Sequence, residues 1–220
     1  MPPPPLHLMF LIPELVFTLF AVIFCSLIFF RTKEIDALAK HRGIHYFRLA
    51  FLFFGLSYAV RLFFGPGFFS RLAFHIPLSR LAFMMFFILL LGYLSTMGIL
   101  YLLFSSLWKK AHGPALVWIG HGLAAALSVV SFLFRSHLIL LFLQTVLLMV
   151  AVLLRFLPRK QEKHLSSAKV LYLLVFVLWL INLWVIGRPR PLPLDVDLLF
   201  EGVSIVVFII IYRKILKWVR

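Results

Sequence analysis

Long apolar runs separated by short polar or proline-bearing breaks set the pattern of this chain. A helix needs about 20 mostly apolar residues to cross the hydrocarbon core of a bilayer. Runs of that kind recur at 8–30, 44–64, 81–108, 114–134, 138–157, 168–186 and 194–212. The breaks are distinct in kind. RTKEIDALAKHR ends the first run, Gly65-Pro66-Gly67 ends the second, and GRPRPLP follows the sixth, where prolines cannot sustain a helix. From Pro114 to Leu157 runs an apolar stretch in which Arg135-Ser136-His137 is the only polar cluster near the middle. One straight helix over that stretch would reach roughly 66 Å at about 1.5 Å per residue, more than any bilayer, so the pattern predicts a hairpin there. FFSRLAFHIPLSR, between the second and third runs, is too short and interrupted to span. It reads as an interfacial loop with Phe68, Phe69 and Phe74 at headgroup level.

Composition agrees with this reading. Hydrophobic residues make up 64% of the chain and charged ones 13%, against about 25% charged in ordinary soluble domains. The 220 residues are nearly all consumed by spans and connections, leaving residues 1–220 as one polytopic domain. The N-terminal MPPPPLHLMFLIPELVF lacks the positive region of a cleavable signal, so it is kept as the start of the first span. Cys25 is the single cysteine and excludes an intrachain disulfide framework.

The net charge of +15 raises nucleic acid as a partner, but the basic residues border spans and no aromatic-and-basic soluble module is present. They read as topology signals and contacts to anionic lipids. Arg31, Lys33, Lys40, Arg42, Lys109, Lys110, Arg159, Lys160, Lys163 and the tail RKILKWVR fall on one side of a seven-span protein. The other side receives arginines such as Arg71, Arg80, Arg135, Arg188 and Arg190, but no lysine. This bias predicts a seven-helix bundle in the cell membrane, N-terminus outside and C-terminus cytoplasmic.

Charges inside apolar runs are the candidate chemistry. An ionisable group facing lipid costs roughly 2.5–3.5 kcal/mol on insertion scales. In the predicted topology Glu14, Arg61 and Glu201 share one depth in the outer half, on helices that neighbour one another in a sequentially wound bundle. Helical spacing puts Ser57 and Tyr58 on the face of Arg61, and Asp197 on the face of Glu201, while Asn182 lies at a similar depth. The expectation is an outer polar pocket of two acids facing one arginine, with Asp195 and Asp197 at its rim. Such a cluster ties helices together, binds a ligand or ion, or carries a proton.

Other polar positions suggest less. Gln144, Thr145, Ser95 and Thr96 read as interhelical hydrogen-bonding groups, and Gly92, Gly98, Gly120, Ala124 and Ala125 as sites of close helix approach. Among the histidines, His121 alone lies deep in a span, whereas haem held between helices needs two. The chain has no HExxH, no GxSxG and no glycine-rich phosphate loop, so neither an enzyme nor a metal or cofactor is expected. Seven spans resemble microbial rhodopsins in number, but LDVDLLFEGVSIVVFIIIY has no lysine for a retinal Schiff base. The sugar-transporting SWEET plan is unmatched too, since the chain has no Pro-Gln pair.

Three functions remain. The first is a receptor or sensor that takes a small ligand in the outer pocket and signals to a cytoplasmic partner. The second is a small solute or ion transporter or channel, and the third an accessory or structural membrane subunit. Assembly into a homo-oligomer is compatible with each.

Overall fold

The computed structural model describes residues 6–39, 42–64, 80–107, 114–134, 137–156, 165–186 and 194–219. Over these residues the chain is all helical: α1 (Leu6–Ala39), α2 (Arg42–Phe64), α3 (Arg80–Leu107), α4 (Pro114–Leu133), α5 (His137–Phe156), α6 (Leu165–Ile186) and α7 (Leu194–Val219). Stretches in α1 to α5 are long and apolar enough to cross a membrane, and α6 carries a shorter one, Lys169–Leu183. The architecture is an all-α membrane bundle.

Two helices outrun their apolar runs. α1 continues past Phe30 through RTKEIDALA, and α7 past Tyr212 through RKILKWV. The reason is propensity: Glu, Lys, Arg, Ala and Leu are strong helix formers, so a helix need not stop where its hydrophobicity does. The proposed interfacial loop at 68–80 lies outside the described residues except for Arg80, which begins α3.

Helix packing departs from a sequentially wound bundle. α1 packs on α2 and α7, α2 on α3, α3 on α5, α5 on α6, and α6 on α7. These six helices close a ring. α4 lies outside it, against α3 and α5. α3 touches α2, α4 and α5, and is consequently buried along most of its second half, from Leu94 to Ser106.

Lipid supplies no hydrophobic drive between helices, so close packing and interhelical hydrogen bonds hold them together. Hydroxyls do much of this work. Ser105 Oγ donates to the Gly43 carbonyl at 2.6 Å, Tyr172 Oη to the Leu102 carbonyl at 3.1 Å, and Ser106 Oγ to the Ala151 carbonyl at 3.2 Å. Gly98 admits the Phe54 ring so closely that an added Cβ would lie 2.7 Å from it. Gly98→Ala is therefore expected to displace Phe54 and cost about 1–3 kcal/mol, read as a lower melting temperature in mild detergent. Gly92, Gly120 and Ala124 are likewise buried contacts, whereas Ala125 is exposed and is not a site of close approach.

Candidate functional site

A cavity of about 180 Å³ opens inside the ring. Every ring helix reaches it and α4 does not: Cys25 comes from α1, Phe51 from α2, Leu91 from α3, Leu148 from α5, Leu178 from α6 and Phe208 from α7. On α2 the lining runs from Phe51 to Arg61, roughly 15 Å at about 1.5 Å per residue. The cavity thus occupies the half of the bundle where α1 begins and α2 ends. An apolar cavity of about 150 Å³ suffices to hold benzene, so this one is large enough for a substituted ring.

Most of the wall is apolar, with polar groups at two places. At the first, Ser57, Tyr58 and Arg61 of α2 face Asn182 of α6. Asn182 is buried and its Nδ2 donates to the Leu178 carbonyl at 2.8 Å. The Tyr58 ring is clasped edge-on by Phe17 and Phe208. Arg61 Nη2 donates to Glu14 Oε1 at 2.9 Å and Nε to the same oxygen at 3.3 Å. Both side chains are only partly exposed, 19% for Arg61 and 35% for Glu14, so each answers the other's charge at the edge of the apolar zone.

Of the expected trio, the ion pair between Glu14 and Arg61 is present among the described residues. Glu14 and Arg61 meet because α1 and α2 pack along their lengths. α7 touches α1 but makes no backbone approach to α2, and Glu201 is half-buried with an interaction of its own. Asp195 is exposed. The side chain of Asp197 lies outside the described residues.

The second polar place is deeper. Gln144 of α5, only 1% exposed, donates from Nε2 to Ser95 Oγ and to Thr96 Oγ1, both at 2.8 Å. Beside it Trp179 Nε1 donates to Thr145 Oγ1 at 3.1 Å. These residues are the interhelical bonds their sequence positions suggest, yet Ser95, Gln144 and Trp179 also line the cavity. Sequence reasoning assigned them no place in the site. The available signal was a lone glutamine in the middle of an otherwise apolar helix.

His121 belongs to a separate setting. Its Nδ1 lies 2.6 Å from Tyr93 Oη, with the rings of Phe53 and Trp118 nearby. Among the described residues no three His, Cys, Asp or Glu side chains gather as a metal site would require.

No family model matches the chain, and no solved structure matches it. It is similar to an uncharacterized protein of Archaeoglobus fulgidus, 32% identical over 225 residues that cover 97% of this chain and 95% of that one. Identity at that level over nearly the full length of both proteins makes this chain a member of the same family of helical membrane proteins as the Archaeoglobus protein.

Proposed function

We propose that the protein is a receptor- or sensor-like membrane protein whose central cavity binds a small molecule. The observation that carries this reading is the convergence of all six ring helices on one cavity. A ligand there touches every helix of the ring, so any difference in its affinity for two packings of the ring shifts the balance between them. An accessory subunit needs no such space. A transporter typically breaks helices near mid-membrane to expose backbone to its cargo, and the described helices α1 to α7 are each continuous.

The proposal includes the topology: seven crossings of the cell membrane, N-terminus outside, with the basic connections facing anionic lipid and a cytoplasmic partner. Cys25 is buried, so cysteines introduced by Lys163→Cys and Arg190→Cys report alone. They should react with an impermeant maleimide from opposite sides of a sealed vesicle, and reaction from the same side would refute seven crossings.

Binding is tested with p-xylene, an uncharged ring of suitable size. It should raise the melting temperature of the protein in mild detergent, since a ligand bound only by the folded form stabilises it. Leu178→Trp, which fills the cavity from α6, should abolish the rise. An equal rise in that variant, or none in the unmodified protein, would overturn the reading.

A further inference from the structure

The hydrogen-bond economy around Gln144 defines what the cavity asks of its ligand. Thr96 Oγ1 has one hydrogen, directed to the Gly92 carbonyl at 2.7 Å. Ser95 Oγ likewise gives its hydrogen to the backbone, with the Leu91 carbonyl at 2.8 Å and the Gly92 carbonyl at 3.1 Å. Both hydroxyls can therefore only accept from Gln144. This fixes the amide: its nitrogen must face α3, and its two hydrogens are spent there. What remains is Oε1, which accepts no hydrogen bond among the described residues, on a side chain 99% buried that lines the cavity. That oxygen is not among the fully enclosed polar atoms that lack a partner, so it opens onto the cavity, where a ligand donor can reach it and make the hydrogen bond the protein leaves unmade.

The rest of the wall narrows the class. Among the described residues Arg61 is the one charged residue lining the cavity, and Glu14 already answers its charge. The surroundings of Gln144 are apolar side chains such as Leu140, Leu141 and Leu148. An ion entering there would lose its hydration with no opposite charge to meet it.

We infer that the ligand is an uncharged, ring-sized apolar molecule bearing an O–H or N–H donor, which it gives to Gln144 Oε1. This inference rests on the cavity being a binding site. It adds that the site selects for a donor, so alcohols and phenols bind in preference to hydrocarbons and ethers of the same shape. The selectivity is built by α3, whose Ser95 and Thr96 hold the amide in the orientation that presents its oxygen.

The test compares p-cresol with p-xylene, which differ by a hydroxyl in place of a methyl. Dissociation constants are taken from melting shifts across a concentration series, in the unmodified protein and in Gln144→Leu. Taking the ratio of the two ligands' affinities within each protein, then comparing proteins, cancels their different partition into detergent. One neutral hydrogen bond predicts that the preference for p-cresol falls by about 3- to 10-fold in Gln144→Leu. The hydroxyls of Ser95 and Thr96 keep their backbone acceptors in that variant. Gln144→Met, which retains the unbranched side chain, takes its place if Leu does not fold. Equal preference in both proteins, with p-xylene still bound and blocked by Leu178→Trp, would overturn the donor requirement while leaving the binding site standing. If neither compound binds the unmodified protein, the binding reading fails and the inference with it.

Discussion

Phe208→Ala should cost about 3–5 kcal/mol of stability, the range for removing a buried aromatic ring. Phe208 is 2% exposed and sits where three elements meet: it stacks on Phe24 of α1 at 6.1 Å between ring centroids and makes a T-shaped contact with Tyr58 of α2 at 6.3 Å. Its loss removes packing that no hydrophobic collapse replaces, because lipid is as apolar as the helices it surrounds. Since Phe208 also lines the cavity, the variant opens that space further. Naphthalene, whose second ring can use the space the phenyl group leaves, should bind the variant more tightly than it binds the unmodified protein and recover part of the lost melting temperature. Leu199→Ala is the control. That side chain is 62% exposed on the same helix, and its removal should change stability by no more than about 0.5 kcal/mol.

Arg61→Met is the second large effect expected. It leaves the Glu14 carboxylate without its guanidinium in a setting only partly reached by solvent. Breaking a fully buried pair costs about 3–5 kcal/mol, and exposed pairs contribute about 0–1. The partial exposure of both partners places the loss between these, at about 1–3 kcal/mol. The double variant Glu14→Gln with Arg61→Met should recover much of it, because the stranded charge is gone. The same cycle run with Glu201→Gln distinguishes the pair from the trio. Arg61 should couple clearly to Glu14 and much more weakly to Glu201. Equal coupling to both carboxylates would restore the three-residue cluster that helix order alone suggests.

How far the sequence reaches follows from which forces act locally. Helix number and placement were legible because crossing a bilayer demands about 20 apolar residues in a row, and that demand is written in the chain one run at a time. The ends of α1 and α7 were not, since RTKEIDALA and RKILKWV satisfy helix propensity while failing the hydropathy pattern. The Glu14–Arg61 pair was legible for a different reason: two charges at one depth on consecutive helices have few other ways to be neutralised. Glu201 satisfied the same logic of depth. The place of α7 is set by packing against α1 and α6, and depth carries no information about azimuth. The displacement of α4 from the ring was equally hidden, because a helix apolar on every side reveals no preferred face.

The cavity shows the limit most clearly. Its polar groups include Ser57, Tyr58, Arg61 and Asn182, all visible as a possible cluster. Its Phe51, Leu178 and Phe208 are ordinary apolar residues among 26 Phe and many Leu, and nothing local marks them as lining a space. A void is a property of the assembled ring. Gln144 lies between the two cases, since its burial was legible and its role as a hydrogen-bond acceptor was not. That role depends on where the hydroxyl hydrogens of Ser95 and Thr96 go, a fact of helix geometry on a neighbouring element.

The most direct test of the central claim is to locate a heavy-atom ligand inside the protein. Crystals soaked with 4-iodotoluene, whose iodine takes the place of one methyl of p-xylene, would show the iodine by anomalous scattering. A peak within van der Waals reach of Phe51, Leu178 and Phe208, absent in Leu178→Trp, is the result predicted by a binding site at the centre of the six-helix ring. Iodine found only on lipid-facing surfaces such as the outer side of α4, with none between the ring helices, would contradict it.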